Sequence, residues 1–286
     1  MRFGVVNGGG GRNFALIDDE AAYVGSPPLP ASIDEALSMG SDELRNQLES
    51  VDRGTLTRIE RKGGGRLRAP IGREQEVWAS GVTYERSREA RVEESAEPSV
   101  YDLAYEAARP ELFLKAVAPR VVGPNEPVGI RADSAWNVPE PELVLVVNAH
   151  GQIAGYTLGN DMSSRSIEGE NPLYLPQAKI YNRACAIGPV IVPAWELPRP
   201  ADLTIRLKVV RRRAEAFAAE ISVGAMRRPF GELVEYLFRS LTFPYGAMLL
   251  TGTGIVPGEG FTLLEGDEVQ IRADPIGTLT NTVIVV

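Results

Sequence analysis

Glu140 and Glu142 stand at the head of an apolar run, "WNVPEPELVLVV", from Trp136 to Val147. In a strand, alternate residues share a face. One face then reads Glu140, Glu142, Val144, Val146 and the other Leu143, Leu145, Val147. Both faces turn apolar, the pattern of a strand buried on two sides. Two carboxylates one pleat apart therefore enter a core pointing the same way, where repulsion and lost hydration demand compensation. Arginine, solvent or a metal ion would each supply it. The next stretch, "AHGQIAGYTLGNDMSSRS", returns across a short turn as a second strand ending at Gly159-Asn160-Asp161. An antiparallel hairpin would bring Asp161 beside Glu140 and Glu142. Three carboxylates with no histidine or cysteine among them make a hard oxygen site, suited to magnesium, manganese or calcium. Charged strand ends beside an Asn-Asp turn are the plainer alternative, and spacing alone leaves both open.

The 286 residues suffice for one large domain, or for a large and a small one. A hydrophobic content of 44% with 24% charged residues is that of a soluble globular chain, and no apolar run is long enough to suggest a membrane span. The N-terminal stretch lacks the apolar core of a secretory signal. Cys185 is the sole cysteine, which excludes an internal disulfide and a cysteine zinc site and points to the reducing cytosol. A net charge of −8 argues against nucleic acid as a partner. Arg211, Arg212 and Arg213 form the main basic run, expected at a solvated hairpin end after "LTIRLKVV". His150 is the sole histidine and falls in a turn, "NAHGQ", so a multi-histidine metal site is excluded and a Ser-His-Asp triad is disfavoured.

Residues 1–72 read as a small α+β unit. "MRFGVV", "NFALID" and "AAYVG" are short strand candidates. "SIDEAL" opens with a capping box from Ser32 to Glu35, and Ser41 is expected to cap a second helix, "SDELRNQLESV". The four glycines Gly8 to Gly11 lack a following helix and a Lys-Ser/Thr ending, and read as a hairpin turn, not a phosphate loop. "RKGGGRLRAPIGRE" is the expected boundary. Residues 73–286 are strand-rich, with helices expected at "SVYDLAYEAARP", stopping at Pro110, and at "RPFGELVEYLFRSL". Many strands without a βαβ rhythm predict a β-rich α+β fold, a mixed roll or barrel-like sheet, not a Rossmann fold.

"VPEPELVLVV", "GYTLGNDMSSR", "LPQAKIYNRACAIGPVIV" and "LLTGTG" followed by "GDEVQI" and "IGTLTN" occur in the order found in the fumarylacetoacetate hydrolase family. The chain resembles that family from about Gly81 to its C-terminus. The resemblance implies a fumarylacetoacetase-like domain over 73–286 whose E-x-E pair and G-N-D aspartate bind a divalent cation. Carried over, the ligands are Glu140, Glu142 and Asp161, the ion is magnesium, and manganese also suits the oxygen set. Hydrolytic members carry N-Y-x-x-H-x-x-E, but here "GVTYERSREA" has Ser87 at the histidine position and Ala90 at the glutamate position. "RPELFLKA" and "IEGENPLYLPQAK" are similar to the branch that dehydrates 2-keto-3-deoxy-D-arabinonate to 2-oxoglutarate semialdehyde. Two departures stand out: Ser166, where relatives commonly have aspartate, and Gly254, where many have proline.

That resemblance implies a reaction in which magnesium chelates the carboxylate and 2-oxo oxygens of the substrate and stabilises an enolate. Glu111 and Lys179 are the candidates for proton transfer at C3 and at the departing C4 hydroxyl, with base and acid unassigned. Arg86, Ser87, Arg88, Lys115 and Thr253 are candidate substrate contacts. Each has a plainer reading: a surface strand start for Glu111, a structural cation for Lys179, solvated arginines at a helix end, a turn threonine. Cys185 reads as a small buried hydrophobe. The competing activities are acylpyruvate hydrolysis and oxaloacetate decarboxylation; a non-catalytic sugar-acid binder is the competing class. Relatives lead one to expect a cytoplasmic homodimer or homotetramer acting on a small 2-keto acid.

Overall fold

A computed structural model of the chain describes residues 1–8, 11–25, 27–61, 67–94 and 98–286. The N-terminal part contributes β1 (Phe3–Gly8), β2 (Gly11–Ile17), β3 (Ala21–Val24), α1 (Ile33–Ser38), α2 (Ser41–Glu49), β4 (Thr57–Glu60) and β5 (Leu67–Arg68). β6 (Glu76–Ser80), α3 (Glu85–Glu94), α4 (Pro98–Glu106), β7 (Leu112–Val117), β8 (Val121–Val122) and β9 (Val128–Ile130) follow. The carboxylate region runs through β10 (Asn137–Val138), β11 (Pro141–Val147), β12 (Ile153–Asp161), β13 (Ser163–Ser164), α5 (Arg165–Glu170), α6 (Leu175–Lys179) and β14 (Cys185–Pro193). The chain ends with β15 (Thr204–Arg211), β16 (Ala214–Ser222), α7 (Phe230–Phe238), β17 (Ala247–Leu250), β18 (Glu268–Ala273) and β19 (Gly277–Val285).

The large sheet has the order β4-β3-β2-β1-β14-β12-β11-β17-β6-β7, with β5 on β1 and β8 on β14. A five-stranded sheet, β16-β15-β18-β19-β9, packs against it. Both paths are open among the described residues, so the β-rich α+β expectation holds without closure into a barrel. β11 lies deep in the large sheet, between β12 and β17. Its Leu143, Leu145 and Val147 join an apolar cluster with Leu207 of β15, Ile271 of β18 and Leu279 of β19. Val144 and Val146 face the opposite cluster, with Phe3 of β1, Leu37 of α1 and Met248 of β17. Burial on both faces is what the all-apolar run requires. At about 1.5–3 kcal/mol for each fully buried large apolar side chain, the strand is among the hardest in the fold to displace.

The N-terminal strands continue the large sheet, because β1 pairs with β14 at Phe3 and Ile191. Gly8 pairs with Gly11 across the expected glycine turn; Gly9 and Gly10, and residues 62–66 of the expected boundary, lie outside the described residues. Ser32 caps α1, its hydroxyl accepting from the Glu35 N–H at 3.1 Å. Ser41 is the first residue of α2, not its cap, which is Gly40. Its N–H donates instead to Gln152 Oε1 at 2.9 Å, tying the helix to the β11–β12 turn. α4 ends at Glu106, short of Pro110, because Arg228 Nη2 takes the exposed carbonyls of Ala104 and Ala107 at 3.2 and 2.7 Å. The arginine run sits at the β15–β16 turn, with Arg212 and Arg213 at φ 51° and 68° as a tight hairpin requires.

Candidate active site and metal centre

The β11–β12 hairpin sets Pro141 opposite Asn160 and Glu142 opposite Gly159. One step beyond the ladder, the Asp161 N–H donates to the Glu140 carbonyl at 2.9 Å, and the Glu140 N–H donates to Asn160 Oδ1 at 3.2 Å. Glu140, Glu142 and Asp161 thereby converge, with carboxylate oxygens all within 4.8 Å of one another, and all three are buried. Glu142 Oε2 accepts the Gly252 N–H at 2.6 Å. Gly252 has φ +90°, and a Cβ there would lie 2.1 Å from Thr83 Oγ1, so only glycine can present this N–H.

Four cations surround the carboxylates. The Lys179 ammonium donates to Glu140 Oε2 at 2.8 Å, Asp161 Oδ2 at 3.2 Å and Ser163 Oγ at 2.6 Å. Lys115 Nζ lies 2.5 Å from Asp161 Oδ1 and donates to the carbonyls of Met162 and Lys179. Arg91 Nη2 donates to Glu140 Oε1 at 2.7 Å, and Arg165 Nη1 reaches the same oxygen at 3.3 Å. Arg91 Nε also lies 3.3 Å from Glu168 Oε1.

This distribution separates the two glutamates. Burial pushes Glu140 up, but Lys179 and Arg91 outweigh it and hold the carboxyl at about 2. Burial likewise raises Glu142, and here the Asp161 and Glu140 charges add to the rise, so its pKa stands well above the carboxylate range. Glu142 is thus the carboxylate whose charge the protein leaves uncompensated. A hard divalent cation fits there: the donors are all oxygens, they converge, and among the described residues Glu142 forms no ion pair with a cation of the chain.

The triad opens into a narrow cleft. Ser87, Arg91, Tyr101, Glu111, Glu168 and Thr253 line it with Lys179 and the triad. Glu111, just before β7, is half-buried; burial first, and the Glu168 charge next, raise its pKa. Gly81 makes room for it, since a Cβ there would fall 2.0 Å from Glu111 Oε2. Burial also raises Glu168, outweighing the opposing Arg91 charge. For Lys179 the balance reverses: burial lowers it, but Asp161 and Glu140 prevail and keep it an ammonium.

Seven of the ten sequence-derived candidates meet at or beside this cleft, and three are placed otherwise. Arg86 is exposed and faces Glu89 at 3.4 Å. Arg88 lies over the Tyr105 ring and 3.8 Å from Asp102. Neither lines the cleft: α3 turns both away and points Ser87 and Arg91 inward, one helical turn apart. Lys115 is neither a cleft contact nor solvated. It is 1% exposed and sits behind Asp161 as a fixed counter-charge. Lys179 ends α6, a five-residue helix that proline interrupts in the sequence, before the strand expected to receive it. Ser166 meets Ser134 Oγ at 2.8 Å, and Gly254 packs under Tyr84 and Ile221.

Arg91, Arg165 and Glu168 were not anticipated. For Arg91 a signal existed, because it follows Ser87 by four positions on a helix. Glu168 lies in "IEGENPLYLPQAK", the stretch singled out as branch-specific, but nothing local marks it as buried.

Residues 76–284 match the profile described as Fumarylacetoacetate (FAA) hydrolase C-terminal. The chain belongs to this family. A Saccharolobus solfataricus protein named 2-dehydro-3-deoxy-D-arabinonate dehydratase is 39% identical over 286 residues, spanning 98% of this chain and 95% of that one. A Haloferax volcanii protein named Probable 2-keto-3-deoxyxylonate dehydratase is 49% identical over 212 residues, 74% of this chain and 73% of its own. Among solved structures, a 2-keto-3-deoxy-D-arabinonate dehydratase complexed with magnesium and 2,5-dioxopentanoate superposes with a TM-score of 0.83 at 35% identity, covering 100% of this chain and 99% of that one. Among the described residues, no helix is long and apolar enough to cross a membrane.

Proposed function

We propose that this protein is a magnesium-dependent hydro-lyase that converts 2-keto-3-deoxy-D-arabinonate, or a close deoxy keto sugar acid, to 2-oxoglutarate semialdehyde (2,5-dioxopentanoate). The observation that carries the reading is the meeting of Glu140, Glu142, Asp161, Lys179 and Glu111 in one cleft with no histidine in its lining. His150 stands in the turn at the other end of the hairpin, about 20 Å away at the rise of a seven-residue strand. Ser87 and Ala90, at the positions of the hydrolytic dyad, are both buried and cannot activate water as His and Glu do. Similarity over the whole chain to proteins named for this dehydration supports the same reading against acylpyruvate hydrolysis or oxaloacetate decarboxylation.

Magnesium or manganese on Glu140, Glu142 and Asp161 would supply Lewis acidity toward the 2-oxo group of the substrate. The remaining work falls to side chains. Lys179, an ammonium hydrogen-bonded to Glu140, Asp161 and Ser163 at the cleft, is assigned the proton with which the C4 hydroxyl leaves as water. Glu111, a carboxylate made more basic by burial, suits the removal of the C3 proton. The resulting enone-alcohol rearranges to the aldehyde. Ser87 and Thr253 offer hydroxyls to the bound acid.

Residues 1–72 are assigned a scaffolding role, supported by a cleft lining drawn entirely from 73–286. A homo-oligomer is proposed from the resemblance to the family. A cytoplasmic setting is supported by a single cysteine, Cys185, which is buried and pushed up to about 12 by that burial. The test is a product assay on chelator-treated protein supplied with 2-keto-3-deoxy-D-arabinonate, with and without magnesium. Magnesium-dependent 2-oxoglutarate semialdehyde is the expected result; substrate left intact in both arms would sink the dehydratase reading.

A further inference from the structure

Glu168 is a buried carboxylate of the cleft that the mechanism does not use. It sits on α5, 5% exposed, and lines the same cavity as Glu111 and Ser87. Its Oε1 faces Arg91 Nε at 3.3 Å, while its Oε2 has no hydrogen-bond partner among the described residues. Arg165 Nη1 lies 4.0 Å from that oxygen, too far to donate. A carboxylate oxygen buried without a donor is costly, and on a residue that lines a cavity it calls for a donor that arrives with the ligand.

The chemistry of the ligand narrows the donor. The head of a 2-keto acid carries only carboxylate and ketone oxygens, which accept and do not donate. Hydroxyls beyond the head both donate and accept, and match Glu168 in either protonation state. The Arg91 guanidinium spans from Glu140 to Glu168, so Glu168 stands one guanidinium away from the triad that takes the head. The C4 hydroxyl is the leaving group and belongs to Lys179. We propose that Glu168 is the specificity-determining residue that binds the terminal C5 hydroxyl of the substrate. This rests on the keto-acid reading of the cleft above. It also gives a reason for rejecting dicarboxylic keto acids, whose second carboxylate would meet Glu168 and Glu111 where a hydroxyl fits.

The test uses two acids that lack a C4 hydroxyl and so cannot lose water: 2-oxopentanoate and 5-hydroxy-2-oxopentanoate. Their affinities for the magnesium-loaded protein are measured by calorimetry. The wild type is expected to bind the hydroxylated acid about 10- to 100-fold more tightly, the worth of one hydrogen bond to a charged group. Glu168→Met is expected to bring that ratio near one, and Glu168→Gln, which keeps an acceptor oxygen and the side-chain shape, to retain part of it. A wild-type ratio near one, or a ratio kept in Glu168→Met, would overturn the proposal. So would equal weakening of both acids in both variants, the mark of a mere counter-ion to Arg91. If the preference holds while the product assay finds no dehydration, the hydroxyl assignment stands and the reaction assignment falls. If neither acid binds the wild type, both fall.

Discussion

The β11–β12 hairpin and the α3–α4 segment wall the same cleft but are held by opposite means. Every residue of β11 is buried, and its two faces key into separate apolar clusters. α3, "ERSREARVEE", offers Ser87, Ala90 and Arg91 to the interior and, among residues 85–93, leaves most of its charges in water. The hairpin can therefore hold three repelling carboxylates at fixed separations, since moving them would unpack two cores. The helix can present a hydroxyl and a guanidinium, but its attachment is lighter and it opens at lower cost. The lesson is a division of labour: rigid strands carry the groups that must not move, and a lightly held helix carries groups that line the open side of the same cleft.

The largest expected effect comes from breaking the rigid wall. Asp161→Asn should lower magnesium affinity by on the order of 100-fold or more, measured by calorimetry, and reduce turnover to background. Lys179→Met should also abolish turnover, yet leave magnesium affinity equal or higher, because two carboxylates lose a competing cation. Lys115→Met separates structure from chemistry: breaking its buried pair with Asp161 should cost about 3–5 kcal/mol, read from the denaturant midpoint. On the lighter wall, Ser87→Ala should raise KM by about tenfold, as loss of one hydrogen bond implies, while Arg86→Ala should leave kcat/KM within about twofold.

A smaller effect lies in pH. Glu140, held at about 2, contributes stability that is complete above its unfolded value and is lost as pH falls through about 2. Glu111 has the opposite sign. Its raised carboxyl favours the folded metal-free protein below the unfolded value and loses that contribution as pH rises through the raised one. Melting the metal-free wild type and Glu111→Gln across this range should show a decline with rising pH that is shallower in the variant.

The same comparison explains what could be read from the sequence. Alternation from Glu140 to Val147 encodes a strand, its double burial and the shared direction of both glutamates, and the short turn after it brings Asp161 across. The β1–β14 pairing has no such local mark. It joins Phe3 to Ile191, and residues 1–72 read in isolation look like a separate unit. α5 and α6 are short, and α6 has a proline in its first turn, so periodicity does not reveal them, and the depth of Lys179 goes unseen. The inward faces of Lys115, Arg91 and Glu168 depend on partners far along the chain, such as the 49 positions from Arg91 to Glu140. Residue type identified Arg86 and Arg88 as candidates, but the helical phase of α3 decides that Ser87 and Arg91 point inward instead.

The most direct measurement is proton exchange at C3 of 2-oxopentanoate in deuterated water, followed by NMR with and without magnesium. The account predicts magnesium-dependent deuteration by the wild type and by Lys179→Met, and none by Glu111→Gln or Asp161→Asn. Exchange that persists in Glu111→Gln, or that is absent from the wild type, would contradict the assignment of the hairpin to the metal and of Glu111 to the proton.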